Sequence, residues 1–382
     1  MNYTLNYKEA IAQRLQVNSD RISLYWKGRV GLYALLKAMN IGEGDEVIIP
    51  SFTCVVVPNA IIYCGAKPIY VDISENTLNT TADLIEQKIT SKTKCIIIQN
   101  TFGLSSEVEE IVALAKKHNI RTIEDCTHGF GGTYNGLPNG SYCDAAFYST
   151  QWNKPFSTGI GGFAVLNNAA FANDFQKVNS QLATPSRKDR YVLTSLIQAK
   201  KYLLHDSTYW AALRLYRSMS KSGLVLGSSK GEELIDTKMP KNYFLRAVKV
   251  QEKVGEKALL HLAQALGNRQ QNGMQYNQFL KALGKWHYAE EDLLNHSFLN
   301  FPIFVKDKKA FQTAAEKAKI RLGDWFVSPI HPVMENFEKW HLQPNDFQVA
   351  VEKSNHILNL PTEPSNIHQV LDFLKNQADN LL

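Results

Sequence analysis

From Thr122 to Val165 the chain reads TIEDCTHGFGGTYNGLPNGSYCDAAFYSTQWNKPFSTGIGGFAV, and two of its side chains are suited to acting together. Asp125 follows the run Thr122-Ile123-Glu124, where a buried strand would end. Lys154 follows a second apolar run, Asp144 to Ser149, and precedes Ser157-Thr158-Gly159-Ile160-Gly161-Gly162. A lysine amine can form a Schiff base with an aldehyde. A carboxylate can pair with a protonated ring nitrogen and so keep an electron-withdrawing ring charged. These are the parts of a pyridoxal phosphate (PLP) site. The glycines let backbone approach a ligand without a Cβ in the way.

Each feature alone is weak, but their order and spacing are specific. Glu124-Asp125 with His128-Gly129 after it, Ser149 five residues before Lys154, and Thr158-Gly159-x-Gly161-Gly162 after Lys154 form one set. That set resembles the PLP-dependent sugar aminotransferases of the DegT/DnrJ/StrS type, within the fold type I (aspartate aminotransferase-like) superfamily. Gly44-Asp-Glu-Val-Ile-Ile-Pro50-Ser-Phe-Thr53 resembles the family's GDEVI-x-PSFT signature, and Leu358-Asn-Leu-Pro361 its LSLP motif. The resemblance covers most of the chain, residues 170–240 being the main exception.

The resemblance implies that Lys154 and Asp125 are catalytic. Gly28, Arg29 and Val30 would hold the cofactor phosphate through their backbone, with Ser149 as a further phosphate contact. Thr53, Cys54 and Gln151 would also lie at the cofactor, with Asn153 close by, and His128 would donate a hydrogen bond to its phenolic oxygen. Arg246, in Arg246-Ala-Val-Lys-Val-Gln251, would meet an acidic substrate group in the neighbouring subunit's site. Two positions depart from the family pattern. Cys54 stands where an aromatic normally stacks on the cofactor ring, leaving Phe52 as a candidate to compensate. Phe244 stands where an asparagine is expected, with Asn242 nearby. His331, in Pro-Ile-His-Pro, is given no role.

The elements that must position these residues follow from the hydrophobic pattern. Residues 1–20 read as a short amphipathic helix, Arg21 to Tyr25 as a strand, and Val30 to Met39 as a helix opened by a glycine turn. Such a turn leaves free N–H groups that can receive a phosphate. Strand and helix patterns then alternate to Leu166: helices at Val56–Tyr63, Ala82–Ile89 and Glu107–His118, strands at Ala66–Asp72, Cys95–Gln99 and Ile120–Glu124. This predicts an α/β fold, a mostly parallel sheet flanked by helices, with ligands at the carboxyl ends of its strands. Arg190 to Ser220 predicts two amphipathic helices and Ser222 to Lys238 a Gly/Ser-rich loop, together a helical insertion over about 170–240. Tyr243 to Leu266 predicts one long helix. Phe298–Val305 reads as a strand, Lys308–Lys319 as a helix, and Gly323–Pro332 as a loop resembling one near the family's substrate pocket. The expected division is a large PLP-binding domain, 1–245, and a small C-terminal α/β domain, 246–382.

Composition narrows the class. At 382 residues the chain can bury a large core, and 44% hydrophobic with 20% charged residues is ordinary for a globular protein. A net charge of +6 without a long basic run gives no nucleic-acid footprint. Five cysteines (54, 64, 95, 126 and 143) without a C-x-x-C pair argue against a disulfide framework and a zinc site, so no metal is expected. No signal-peptide pattern and no run of ~20 apolar residues is present, which makes the cytoplasm the default compartment.

The expected activity is therefore transfer of an amino group from an amino acid, by the resemblance L-glutamate or L-glutamine, to a nucleotide-linked keto sugar, in a homodimer with shared sites. The alternatives are a PLP-dependent sugar dehydratase, disfavoured because Lys154 is present, and a non-catalytic regulatory homologue, disfavoured because Lys154, Asp125 and Ser149 are all retained.

Overall fold

The computed structural model describes residues 5–203, 208, 231–364 and 366–382. In chain order the strands are β1 (Ile22–Tyr25), β2 (Glu46–Pro50), β3 (Thr53–Cys54), β4 (Lys67–Val71), β5 (Thr93–Gln99) and β6 (Arg121–Asp125). A small hairpin, β7 (Thr133–Tyr134) and β8 (Leu137–Pro138), precedes β9 (Ala145–Ser149) and β10 (Gly162–Leu166). The C-terminal part adds β11 (Phe301–Phe304), β12 (Ile330–His331) and β13 (Ile357–Leu360). Seven strands form one sheet in the order β1-β10-β9-β6-β5-β2-β4. All pairings from β9 to β4 are parallel, and β10 and β1 add an antiparallel edge. The α/β class and the mainly parallel sheet are as expected.

The apolar run of β5 explains why this sheet must be covered on both sides. Side chains alternate between faces along a strand. Cys95 and Ile97 join the core around helix Gly28–Ala38, whereas Ile96 and Ile98 pack with Ile111, Val112 and Ala115 of helix Val108–Lys117. Helices α1 (Tyr7–Leu15), α2 (Gly28–Ala38) and α3 (Val56–Tyr63) follow the predicted pattern. A separate C-terminal core gathers Phe301, Ile303, Leu358 and Leu360 of the antiparallel pair β11–β13 with Phe311, Phe373 and Leu374. The two-residue parallel pairing of β12 with β3 ties this part to the ends of the main sheet.

The register places the functional candidates side by side. Gln99 ends β5 opposite Asp125, which ends β6, and Asp125 lies opposite Phe147 in β9. The start of α2 meets β9 and β10 at very close range. A Cβ at Gly28 would lie 2.7 Å from Tyr148 O and 3.0 Å from Ser149 Cα, and one at Gly162 would strike Gly28 Cα and Tyr148 O.

Two expectations are corrected. Residues 243–248 are not helical. Their backbone pairs instead with the edge strand β1, Trp26 N–H donating to Leu245 O at 3.0 Å and Ala247 N–H to Leu24 O at 3.3 Å. An edge strand offers unpaired donors and acceptors, and this segment takes them up. Helix begins only at Lys249 and is broken at His261 into Lys249–Leu260 and Leu262–Ala282. The helix Lys249–Leu260, C-terminal to the expected 245/246 division, packs on α1, with Gly255 against the ring of Tyr7. In the insertion, the first predicted helix is Arg187–Leu203, and Gly231–Ile235 is helix where a loop was expected. The second predicted helix and the earlier part of that loop lie outside the described residues. Among the described residues, no helix is long and apolar enough to cross a membrane.

Gly162→Ala is expected to lower stability by about 1–3 kcal/mol or more, the cost of overpacking a tight site. The urea midpoint of the variant against the parent measures it. An unchanged midpoint would show that this contact can relax freely.

Candidate active site

A cleft of about 240 Å³ opens at the carboxyl ends of β5, β6 and β9, where a parallel sheet offers its ligand sites. Of the residues singled out in the sequence, it is lined by Arg29, Cys54, Asp125, His128, Ser149, Gln151 and Lys154. Gln99, Leu234, Trp325, Phe326 and His331 are among the other residues that line it.

Lys154 sits in the loop between β9 and β10, and that loop is clamped at its base. Thr150 N–H donates to Gly161 O at 2.9 Å, Thr158 N–H to Thr150 O at 2.8 Å, and the two threonine hydroxyls share a hydrogen bond of 2.7 Å. Gln251 Nε2 donates to Ile160 O, and Arg269 Nη1 to Pro155 O at 3.0 Å. Lys154 Nζ lies 4.5 Å from the centre of the Trp325 ring, a cation–π distance. Loss of water pulls the ammonium down to about 8, with nearby Arg29 adding to the effect and Cys54 and Asp125 opposing it. At pH 7 about 1 in 10 such amines is neutral, against about 1 in 2500 for an ordinary lysine.

Asp125 is buried beside it. Burial pushes its carboxyl above the usual range, while a hydrogen bond from Thr127 N–H (2.9 Å) and the charge of Lys154 pull the other way. The two groups are thus each moved toward neutrality by desolvation. His128 is buried beside the rings of Phe102 and Phe326, its plane within 24° of each. Burial holds its imidazole well below its ordinary value, so it is neutral. Phe102 N–H donates to its Nδ1 at 3.3 Å, which leaves the proton on Nε2 as a donor.

The start of α2 builds an anion cradle. Because Gly28 has no Cβ, the helix N-terminus sits directly against Ser149. Ser149 Oγ is buried and, among the described residues, has no hydrogen-bond partner. A buried hydroxyl in this state costs free energy, which an incoming acceptor would recover. The N-terminus contributes its partial positive charge, and Arg29 adds a full one. Arg29 Nη1 pairs with Glu233 Oε1 at 2.6 Å, and Lys27 Nζ lies 3.7 Å from Glu233 Oε2. The donor set fits a phosphate group.

Other expected contacts fall elsewhere. Val30 is buried in the core, and its N–H turns back to Lys27 O at 3.1 Å, so it is not offered to the cleft. Thr53 lies behind the cleft wall, its hydroxyl donating to Gln99 Oε1 at 2.6 Å. Arg246 does not reach this cleft: its Nε and Nη2 both donate to Leu182 O, at 3.2 and 2.6 Å. Asn153 and Asn242 are exposed, and Phe244 packs edge-on against Tyr33. Phe52 is fully buried among Phe102 and Phe326, which removes it as a substitute for an aromatic at residue 54.

Sequence reasoning missed Gln99, Glu233 and Trp325. Gln99 had a signal, being the polar residue that closes an otherwise apolar strand. Trp325 lay in a loop already marked as resembling one near a substrate pocket. Glu233 had none.

Comparison with known proteins places the chain in a family. The sequence model of the DegT/DnrJ/EryC1/StrS aminotransferase family matches residues 25–371. The GDP-perosamine synthase of Escherichia coli O157:H7 is 40% identical over 168 residues, 44% of this chain and 45% of that protein. The dTDP-3-amino-3,6-dideoxy-alpha-D-galactopyranose transaminase of Aneurinibacillus thermoaerophilus is 41% identical over 143 residues, 37% of this chain and 39% of that protein. The matched stretch thus spans less than half the length of these curated relatives. DesV of S. venezuelae shares the fold, with a TM-score of 0.74 at 18% identity over 98% of this chain and 88% of that one.

Competitive acylation at a series of pH values should show Lys154 titrating near about 8, with exposed lysines near about 10.4. Peptide mass spectrometry reads each site separately. A Lys154 that titrates with the surface lysines would mean that the cleft is wet and its charges screened.

Proposed function

The chain belongs to the DegT/DnrJ/EryC1/StrS aminotransferase family, and from that premise we propose that it is a PLP-dependent enzyme moving an amino group from L-glutamate or L-glutamine to a nucleotide-linked keto sugar. The observation that carries the reading is the joint placement of Lys154, Asp125 and the unpartnered Ser149 hydroxyl around one cleft. They are spaced along the walls as three handles for one planar, phosphorylated cofactor.

Each residue has a distinct task. The α2 N-terminus, Arg29 and Ser149 Oγ hold the phosphate group. Asp125 holds a proton on the ring nitrogen, and the positive charge there offsets the cost of its own burial. His128 Nε2–H donates to the phenolic oxygen. PLP, when bound, supplies the electron sink and carries the amino group between the two halves of the reaction. Lys154 Nζ would hold the cofactor aldehyde and, when free, its amine would serve as the base and acid for the proton at the donor Cα. A value near 8 suits both directions of that transfer, since the amine can be neutral or charged near neutral pH. The clamp fixes the base of the loop that carries Lys154.

We extend the reading to a homodimer in the cytoplasm. Arg246 is exposed and does not reach its own cleft, so it is assigned to the acidic substrate group at the second copy's site. The five unpaired cysteines suit a reducing compartment.

With PLP and L-glutamate but no acceptor, the protein should form about one 2-oxoglutarate per site and stop, as a two-step transfer demands. Adding a nucleotide-linked keto sugar should restart it, and Lys154→Ala should do neither. A parent that binds PLP yet forms no oxo acid from either donor would sink this reading. Subunit sharing is checked by mixing. Lys154→Ala and Arg246→Ala, each inactive alone, should recover up to about a quarter of parental activity when exchanged into mixed dimers. No recovery after confirmed exchange would place Arg246 outside the site.

A further inference from the structure

Lys154 Nζ has an indole face 4.5 Å from it, and that contact constrains anything joined to the amine. A carbon bonded to nitrogen lies only about 1.5 Å away from it. Whatever Lys154 holds therefore begins within about 6 Å of the Trp325 ring centre. The neighbouring wall is poor in aromatic surface. His331 and Cys54 are register partners in β12 and β3, and Cys54 offers only a thiol to the cleft. The indole leans on His331, with ring centroids 4.5 Å apart and a 32° tilt, so Trp325, His331 and Cys54 form one continuous surface. The other aromatics lining the cleft, Phe147 and Phe326, are buried, whereas Trp325 is partly open.

The backbone at Trp325 is held in place. Its N–H donates to Asn359 Oδ1 at 2.8 Å, and Asn359, which is fully buried, exchanges backbone hydrogen bonds of 2.9 and 3.0 Å with Gly323. Asn359 lies in β13, so the C-terminal core fixes the indole over the lysine.

Resting on the cofactor reading above, we propose that Trp325 is a cofactor-binding residue: its indole covers the PLP ring at Lys154, supplying the aromatic wall that Cys54 cannot. A protonated pyridine ring is electron-poor, and an electron-rich indole face favours it both by stacking and by cation–π attraction. The C-terminal part thus contributes to holding the cofactor as well as to shaping the substrate side of the cleft.

The test is PLP affinity, measured by equilibrium dialysis on the full chain, for Trp325→Phe and Trp325→Leu. Phenylalanine keeps a π face, whereas leucine keeps bulk without one. Neither change touches the backbone bond to Asn359, so both should fold. Trp325→Phe should bind PLP within about threefold of the parent and Trp325→Leu about tenfold more weakly. Indole emission should fall when the parent binds PLP, and that fall should shrink in Trp325→Phe. A Trp325→Leu protein that binds as tightly as the parent, or an emission change that is the same in Trp325→Phe, overturns the proposal. A parent that binds no PLP overturns the cofactor reading itself, an outcome distinct from either.

Discussion

Two backbones touch where α2 begins, and the site depends on that contact. Gly28 opens the helix and Gly162 opens β10; a Cβ at Gly28 would strike the end of β9, and one at Gly162 would strike Gly28 and Tyr148. Because both lack one, the helix N-terminus reaches the end of β9 and stops beside Ser149. The helix then aims its partial positive charge at the same point as the Arg29 side chain and the Ser149 hydroxyl. The loop bearing Lys154 leaves from the end of β9 and returns into β10, so the same seam fixes both of its ends. Anion cradle and reactive amine are therefore set by one packing constraint, and neither can drift without the other.

Electrostatics follows from how dry this seam is. Burial moves Lys154 down and Asp125 up, so the free cleft holds two charges that are both costly. They support each other only in part, and His128, held neutral by its own burial, adds no charge. A ligand with a cationic ring nitrogen would answer the Asp125 carboxylate, and a dianionic tail the cradle at the start of α2. Arg29 is already engaged by Glu233, a residue of the short helix Gly231–Ile235, whose backbone is tied in turn to Asn59. That pair keeps a buried guanidinium oriented toward the cleft, where an isolated one would be expensive.

The residues that could be found from sequence are those whose role is local. Asp125 ends an apolar strand, Lys154 sits five residues after Ser149, and Gly28 precedes a helical stripe, so local pattern together with the family resemblance singled them out. The sheet was readable for the same reason, since runs such as Cys95–Gln99 can only be covered on both faces. What escaped was non-local. Tyr243–Val248 carries a helical pattern, yet the unpaired edge of β1 draws it into extended pairing. Arg246 is well placed by motif and still turns to Leu182 O within its own chain. Trp325 lies far from Lys154 in sequence, and the pairing of β12 with β3 helps bring their surroundings together.

That pairing is two residues long, too short to hold itself. Its support comes from behind. Gln99, at the end of β5, donates through Nε2 to Phe52 O and accepts from the Thr53 hydroxyl, which fixes β3. Fixed β3 then binds the incoming loop through Thr53 N–H to Pro329 O (2.8 Å) and Val55 N–H to His331 O (2.9 Å). His331 in turn carries the Trp325 ring above Lys154. Thr53 thus acts at a distance: its hydroxyl never faces the cleft, but it transmits the position of the sheet to the wall opposite the lysine. A residue whose motif suggests ligand contact serves here to register two parts of the chain, and the cleft exists only where they meet.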